Sequence, residues 1–271
     1  MPELPEVEIV KRGITPAVMG QQIASVIIRQ PTLRYPIPTH LPNTLSGLKV
    51  HNIKRRSKYL LLETDLGHLI IHLGMSGRIH TLKNAPTAGK HDHVDIIFKH
   101  GICLRYHDPR RFGMILWTPE EPEQHILLKH LGPEPLTSTF DGHHLFEYSR
   151  KRSVSVKQYI MDSKVVVGVG NIYASESLFH AGISPKRSAH KIAQLRYHKL
   201  AEKIKHVLTQ AIEAGGTTLK DFSAANGRPG YFQQELYVYG RHGQPCKHCH
   251  STIKKIIQAQ RSTFYCPQCQ N

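Results

Sequence analysis

The stretch KYLLLETDLGHLIIHLG, residues 58–74, consists of two short apolar runs on either side of Gly67. Apolar runs of this length, bounded by turn residues, are typical of β-strands. Comparable runs lie on both sides of it: IASVIIR from residue 23, VDIIFK from residue 94, ICLRY from residue 102 and GMILW from residue 113. Because no long helix is predicted between them, these strands indicate an antiparallel sandwich or barrel-like domain.

A short helix is predicted ahead of the strands, over residues 3–12. Pro5 and acidic side chains occupy its first turn, Lys11 and Arg12 its last turn, and Gly13 follows. The charges have the signs that stabilise a helix dipole, and a glycine beyond the last turn is a typical helix end.

The composition changes after the strands, where the segments PEEPEQ and GPEPL precede helical sequence from about residue 142. The clearest helix is predicted to begin at Ser188 as N-cap and to stop at Gly215-Gly216. Its apolar positions, which we expect in the core, are Ile192, Leu195, Ile204, Leu208 and Ile212. The sequence therefore predicts an α+β protein of several domains, at residues 1–135, 136–240 and 241–271.

The charge of the chain indicates a polyanionic partner. Lys and Arg number 36 against 20 Asp and Glu, which gives a formal charge of +16. Such a field concentrates a protein along a phosphate backbone, although a ribosomal or other nonspecific basic protein would have the same charge. No apolar run approaches the roughly 18 residues that cross a bilayer, and acidic residues occupy the N-terminus, so we expect a soluble, cytoplasmic protein.

Four of the five cysteines form two Cys-x-x-Cys pairs near the C-terminus. Cys246-x2-Cys249 is separated by 16 residues from Cys266-x2-Cys269. This spacing predicts one closed, tetrahedral, structural zinc site, which leaves no open position for a catalytic water. A redox role would need a thioredoxin-like context, which neither pair has.

The surroundings of these cysteines leave two further expectations. His248 and His250 are competing zinc ligands, although four well-spaced cysteines make them dispensable. Between Cys246 and Cys269 the chain has Lys247, Lys254, Lys255 and Arg261 but no acidic residue, so the segment is expected to face phosphate. Cys103, alone in an apolar run, is expected to be a small buried hydrophobe.

The N-terminal motif resembles the opening of the formamidopyrimidine-DNA glycosylases, and the resemblance continues along nearly the whole chain. The matching segments are PELPEVE at 2–8, RRSKYLL at 55–61, HLGMSGR at 72–78, KHDHVD at 90–95, DPRRFG at 108–113, VVGVGNIYASESLF at 166–179, GGTTLKDF at 215–222 and the terminal QRSTFYCPQC. The resemblance implies an N-terminal β-sandwich, a helical domain with a helix-two-turn-helix element, and a four-cysteine zinc-finger β-hairpin.

The resemblance also implies catalytic residues. Pro2 would be the nucleophile through its amino group once Met1 is removed, Glu3 the general acid, and Lys58 a contact to the lesion and phosphate that assists proton transfer. The residues alone leave plainer interpretations open, because a Pro-Glu pair commonly starts a helix and a lysine after a basic run commonly lies in solvent. Arg261 is linked by the resemblance to the final elimination step.

A second set of residues would hold the DNA. Met75, Arg110 and Phe112 resemble the residues that fill the space left by an extruded nucleotide, with Arg110 reading the partner cytosine. By composition alone, Met75 and Phe112 would be core residues. His91, Arg111, Arg152 and Asn171 match family positions that contact DNA, although at Arg152 the family often has lysine.

Some motifs have alternative interpretations. The stretch leading to Asn171 could be a nucleotide-binding loop, but the third glycine of that pattern is replaced by Tyr173. His91-Asp92-His93 could be a metal site, although strand alternation would place neighbours on opposite faces. The segment 217–232 is expected to shape the preference among lesions.

The sequence thus predicts a monomeric glycosylase with abasic-site lyase activity, which removes oxidised purines such as 8-oxoguanine and formamidopyrimidines from double-stranded DNA. One alternative is an endonuclease VIII-like enzyme for oxidised pyrimidines. The other is a noncatalytic zinc-ribbon DNA-binding protein, which would explain the charge and the cysteines but not Pro2, Glu3 and Lys58 together.

Overall fold

The computed structural model describes residues 2–215 and 236–271. They form two compact units, which we call the N-terminal unit, up to Lys129, and the C-terminal unit, from His130 to Glu213 and from residue 236 onward. The finer division at residues 135 and 240 stays a prediction. In the described ranges, no helix has the length and apolar character needed to span a membrane.

The described part of the N-terminal unit has one long helix, one short helix and two antiparallel sheets of four strands each. In chain order the elements are α1 Leu4–Val18, β1 Ile23–Ile28, α2 Leu41–Leu45, β2 Val50–Arg56, β3 Tyr59–Thr64, β4 Gly67–His72, β5 Arg78–Lys83, β6 Asp92–Phe98, β7 Ile102–His107 and β8 Met114–Thr118. The strand orders are β1-β6-β7-β5 and β2-β3-β4-β8. One apolar cluster contains residues of both sheets and of α1, which confirms the sandwich.

Two strands, β2 and β5, were not apparent as apolar runs. Both lie at the edge of their sheet, and β2 has the polar sequence VHNIKRR. Edge strands commonly contain charged side chains, which protect an unpaired edge. The apolar pattern therefore revealed all four inner strands, but only β1 and β8 among the four edge strands.

Helix α1 is longer than predicted, because it continues through Gly13 to Val18 and includes Pro16. Ile14 and Val18 are fully buried, so the face that packs on the sandwich extends beyond the glycine. Burial of this face outweighs the modest cost of an internal glycine.

The C-terminal unit contains helices followed by a β-hairpin. Its described elements are α3 Gly142–Ser149, α4 Val156–Ile160, α5 Asn171–Ala181, α6 Gln194–Glu213, β9 Lys254–Gln258 and β10 Arg261–Tyr265. Strands β9 and β10 pair antiparallel, with Arg261 opposite Gln258. The helical region and the hairpin agree with the predicted fold class.

The start of α6 differs from the prediction. Ser188 precedes a separate 3-10 turn, Ala189–Lys191, and the extended backbone of Ile192 interrupts the helix before Gln194. Leu195, in the first turn of α6, is 80% exposed, so its assignment to the core was wrong. The other four apolar positions are buried as expected. Gly216, predicted at the helix stop, lies outside the described residues.

Candidate catalytic and nucleic-acid-binding sites

Pro2 and Glu3 lie at the N-terminus of α1, where Glu3 is the N-cap with extended backbone. Glu3 is 2% exposed, and its backbone N–H donates to Oε2 of Glu6 over 2.8 Å. The Glu3 carbonyl oxygen accepts the N–H of Val7. The backbone directly after Pro2 is therefore held by the first turn of the helix.

Lys58 lies in the two-residue turn between β2 and β3. Ser57, the first residue of this turn, has a φ of 55°, as the first central residue of a tight hairpin turn requires. Nε of Arg55 donates to Oε2 of Glu8 over 3.0 Å, and Nη1 of Arg55 donates to the carbonyl oxygen of Ser57 over 2.9 Å. Arg55 thus connects the helix that Glu3 caps with the turn that contains Lys58.

The charge balance around this connection keeps Glu8 ionised. Burial raises the pKa of Glu8, but the ammonium of Lys11 and the guanidinium of Arg55 outweigh burial and lower it overall. The carboxylate therefore remains a partner for both cations in the neutral pH range.

His72, at the end of β4, is a neutral side chain close to the catalytic lysine candidate. Burial lowers its pKa to about 4, and the positive charges of Lys58 and Arg34 add to that shift. Its Nδ1 accepts the backbone N–H of Gly74 over 2.9 Å. An imidazole without charge is therefore required to hold the turn that follows.

Met75, Arg110 and Phe112 are exposed on turns of the N-terminal unit. Met75 is 38% and Phe112 45% exposed, so the interpretation of either as a core residue is wrong. The Arg110 guanidinium lies 4.8 Å from the centroid of the Phe112 ring. Arg111 is also exposed.

The two residues that follow His91 form hydrogen bonds to neighbouring segments. His93 is buried, and its Nε2 donates to the carbonyl oxygen of Asp108 over 2.8 Å, while Oδ1 of Asp92 lies 2.8 Å from Nδ1 of His107. Among the described residues, the four cysteines are the one group placed to hold a metal, so the alternative of a metal at residues 91–93 has no support. His91 is half-buried.

Cys246, Cys249, Cys266 and Cys269 converge as the spacing predicted. All their Sγ atoms lie within 4.8 Å of one another, including 3.9 Å between Cys246 and Cys269 and 3.4 Å between Cys249 and Cys266. A tetrahedron with Zn–S bonds of about 2.3 Å has sulfur atoms roughly 3.8 Å apart, so the thiolates fit zinc. These residues hold a structural zinc ion.

The two histidines next to the cysteines differ in what the structure shows of them. His248 packs against the rings of Phe179 and Tyr237, at centroid distances of 5.0 and 5.4 Å. His250 has a φ of 62°, and its backbone N–H donates to the carbonyl oxygen of Cys246. Among the described residues, the group placed to hold a metal contains the four cysteines and neither histidine.

Arg261 follows the tip of the β9-β10 hairpin. The tip residues Ala259 and Gln260 have φ values of 44° and 61°, the pair of positive angles typical of a tight type I′ turn. Arg261 is exposed and, with Lys157, lines a groove of about 270 Å³. The turn therefore places Arg261 beside a groove that is also lined by Gln158, Asp162 and Gln258.

Lys157 contacts a predicted DNA-binding residue and was not itself predicted from the sequence. It is 2% exposed, and its Nζ donates to Oδ1 of Asn171 over 2.6 Å and to Oγ1 of Thr263 over 2.7 Å. Nδ2 of Asn171 donates to the carbonyl oxygen of Ser262 over 3.0 Å. The Asn171 amide thus connects α5 with the hairpin. A lysine within the otherwise apolar face of α4 was the available signal.

The remaining predicted contacts are less tied to this network. Arg152 has an exposed side chain, while its carbonyl oxygen accepts the backbone N–H of His190. Cys103 is fully buried, as predicted, and burial raises the pKa of its thiol to about 11. The segment 217–232, predicted to shape lesion preference, lies outside the described residues.

Comparisons with known proteins give one consistent result. Family models match residues 1–115 (formamidopyrimidine-DNA glycosylase N-terminal domain), 131–223 (its H2TH domain) and 243–271 (zinc finger found in FPG and IleRS). The formamidopyrimidine-DNA glycosylase of Pseudomonas syringae pv. tomato is 55% identical over 270 residues, with 100% of both chains covered.

Solved structures of Lactococcus lactis Fpg agree. The complex with abasic-site DNA has 35% identity and a TM-score of 0.89, and the wild-type complex with N7-benzyl-Fapy-dG DNA has 35% identity and a TM-score of 0.90. Each match covers 99% of both chains. The family models extend well beyond the zinc finger, which disfavours a zinc-ribbon protein. The chain therefore belongs to the formamidopyrimidine-DNA glycosylase family.

Proposed function

We propose that this chain excises oxidised purines, including formamidopyrimidines and 8-oxoguanine, from double-stranded DNA and cleaves the strand at the resulting abasic sugar. The observation that carries the proposal is the N-terminus of α1, where Pro2 precedes a buried Glu3 held by Glu6. The similar Pseudomonas and Lactococcus proteins named above support the same substrate class.

Pro2 supplies the nucleophile once Met1 has been removed. The chain then begins with a secondary amine, and an α-amino group has a pKa of roughly 7.7–8.0, so a useful fraction is neutral at physiological pH. An ordinary lysine with a pKa of about 10.4 is neutral about 300-fold less often. The prepared nucleophile is therefore the chain's own amino group.

The reaction requires proton transfers at the sugar. The Pro2 nitrogen attacks C1′, the bond from C1′ to the base breaks, and the base leaves with that electron pair and a proton. Glu3 protonates the ring oxygen as the sugar opens, which leaves an iminium on Pro2. Loss of the C2′ proton then expels the 3′ phosphate, and loss of the C4′ proton in a second elimination, assisted by Arg261, expels the 5′ phosphate. Water finally hydrolyses the iminium, which releases the sugar fragment and restores the Pro2 amine.

Lys58 lies in a turn that is tied to the same helix through Arg55 and Glu8. Its ammonium is suited to a phosphate or lesion contact next to the opening sugar. The neutral His72 nearby adds no competing positive charge above its pKa of about 4. Lys58 therefore serves as the cation of the N-terminal catalytic group.

The remaining proposed DNA contacts are side chains of the N-terminal unit and of the C-terminal unit. Met75 and Phe112 fill the space of the extruded nucleotide, and Arg110 donates hydrogen bonds to the partner cytosine. The proposed backbone contacts are His91, Arg111, Arg152, Asn171 and Arg261. We further propose that the enzyme acts as a cytoplasmic monomer.

Borohydride trapping tests the mechanism. Zinc-loaded protein with a verified Pro2 terminus is incubated with duplex DNA containing 8-oxoguanine opposite cytosine, and mass spectrometry locates the reduced linkage. We expect a covalent complex through Pro2, and no complex with a matched sample that retains Met1. Attachment at an internal side chain would refute the nucleophile, and preferred action on thymine glycol would favour the endonuclease VIII-like alternative.

A further inference from the structure

Asp108 is a fully buried carboxylate between two turns of the N-terminal unit, each of which has exposed side chains. We call residues 73–77, which include Met75, the methionine turn, and residues 109–113, which include Arg110 and Phe112, the arginine turn. These turns contain all three residues proposed to replace the extruded nucleotide. The interactions that hold the two turns together therefore affect how these residues enter the space of the extruded nucleotide.

The side chain of Asp108 accepts hydrogen bonds from both turns. Oδ1 accepts the hydroxyl of Ser76, in the methionine turn, over 2.7 Å. Oδ2 accepts the backbone N–H of Gly113, in the arginine turn, over 2.9 Å. The backbone N–H of Arg110 lies 3.3 Å from both Asp108 Oδ1 and Ser76 Oγ. One carboxylate is thus shared between the two turns.

The main chain of Asp108 is fixed as well. Its carbonyl oxygen accepts Nε2 of the buried His93 over 2.8 Å and the backbone N–H of Arg111 over 3.2 Å. Arg111 has a φ of 55°, so the arginine turn is held in a left-handed conformation that an arginine seldom adopts unaided. Asp108 therefore orders the turn that presents Arg110 and Phe112.

The two turns also contact each other directly. A Cβ on Gly74 would lie 2.4 Å from the carbonyl carbon of Phe112 and 2.5 Å from the nitrogen of Gly113. A Cβ on Gly113 would lie 1.6 Å from the hydroxyl of Tyr106. The backbones of the two turns therefore lie close together at Gly74 and Gly113, with no space for a side chain at either position.

We propose that Asp108 is a positioning residue that makes Met75, Arg110 and Phe112 insert as one unit and keeps Arg110 in register with the partner base. This inference rests on the proposed function. An aspartate suits the role because its oxygens accept from several donors at once, whereas asparagine would turn an NH2 group toward donor groups. Loss of the link leaves buried donors unsatisfied and frees the turns to sample other arrangements.

The test compares Asp108→Asn with Asp141→Asn, which removes the same charge from the N-cap of α3, where the carboxylate accepts the N–H of His144. One measurement is the ratio of kcat/KM for 8-oxoguanine opposite cytosine to that opposite adenine. A second measurement is the rate at which Met75, Arg110 and Phe112 insert into the duplex, followed by the fluorescence of a 2-aminopurine beside the lesion. A third is cleavage of an abasic site in single-stranded DNA, which has no partner base and no stacked duplex to fill.

For Asp108→Asn we expect insertion to be about tenfold slower. The ratio of kcat/KM opposite cytosine to kcat/KM opposite adenine, which we call the partner-base ratio, should fall about tenfold. Both changes have the size of one lost charge-assisted hydrogen bond. Single-strand cleavage should stay within about twofold of wild type, as should all three measurements for Asp141→Asn. Equal losses on single-stranded and duplex DNA would overturn the proposal, as would an unchanged partner-base ratio.

A second variant pair keeps the proposal testable if Asp108→Asn does not fold. Ser76→Ala removes the link from the methionine turn alone, and Ser76→Thr retains a hydroxyl. We expect the alanine variant to lower the partner-base ratio severalfold and the threonine variant to restore it. Wild-type behaviour of Ser76→Ala would refute the inference. Failure of wild-type protein to trap on duplex DNA would refute the proposed function instead.

Discussion

The methionine and arginine turns of the N-terminal unit and the tip of the zinc hairpin all present exposed side chains, but different interactions hold them in place. Both present exposed side chains from backbone with positive φ angles, at Gly74 and Arg111 in one case and at Ala259 and Gln260 in the other. The first pair of turns rests on a large apolar cluster drawn from both sheets and α1. The hairpin rests on a small cluster in which two buried members are zinc ligands, Cys246 and Cys266.

This comparison shows where each region obtains its rigidity. A large core tolerates a buried polar group such as Asp108, because apolar burial elsewhere offsets the cost of desolvation. The hairpin has too little apolar surface for that, so metal coordination must supply much of its folding free energy. Polar anchors add to it, since Glu176 accepts the backbone N–H groups of Tyr237, Val238 and Tyr239.

Among the changes that test this comparison, loss of zinc should have the largest effect. Structural zinc contributes on the order of 10 kcal/mol to folding of small zinc domains, so Cys249→Ser should lose the metal and unfold the hairpin. We expect DNA affinity to fall at least about tenfold, in line with removal of several phosphate contacts. Metal analysis and fluorescence anisotropy measure both effects.

Cys103→Ala is the matched cysteine control, because this thiol is buried in β7, outside the zinc site. It should retain one zinc ion and wild-type affinity. If Cys249→Ser lost its metal but bound DNA as wild type does, the hairpin would not be a DNA contact.

A cavity in the β-sandwich should have the next largest effect. It should destabilise the N-terminal unit and leave the zinc hairpin unchanged. Leu62 in β3 is 1% exposed, so Leu62→Ala should lower the free energy of unfolding by about 2–5 kcal/mol. Leu66→Ala, in the neighbouring turn at 60% exposure, should change it by less than about 0.5 kcal/mol. Urea denaturation measures both. Zinc loss from the folded Leu62→Ala protein would contradict separate sources of rigidity.

The smallest expected effect concerns His72 and pH. Its folded pKa of about 4 lies below the unfolded value of about 6.5, so its contribution to stability is complete above pH 6.5 and is lost as the pH falls toward 4. His72→Asn keeps an acceptor for the Gly74 N–H without this titration. The variant should therefore lose stability less steeply between pH 6.5 and 4.

Thermal unfolding of zinc-loaded protein across this pH range measures the difference. Above pH 7 the stability curves of wild type and His72→Asn should run parallel, because His72 is then neutral in the folded and the unfolded protein. This pH range serves as the internal control. Identical slopes below pH 6.5 would show that His72 is not held neutral by the fold.

Several features could be predicted from local patterns. The inner strands appeared as apolar runs, and the spacing of four cysteines predicted the zinc site, because both signals lie within short segments. The edge strand β2 was missed because its side chains are polar, and Leu195 was misplaced because periodicity does not reveal that Ile192 interrupts the helix. The roles of Pro2 and Lys58 came from the family resemblance and stay predictions.

By itself, the sequence determined the zinc ligands, the fold class and the basic charge, since these depend on residue types and short spacings. Only the tertiary structure decided that Met75 and Phe112 are exposed, that Lys157 is buried beside Asn171, and that Asp108 joins two turns. Those properties depend on segments far apart in the chain. Ser76 and Asp108 are 32 residues apart, and only the packing of the strands places a hydroxyl and a carboxylate within hydrogen-bonding distance.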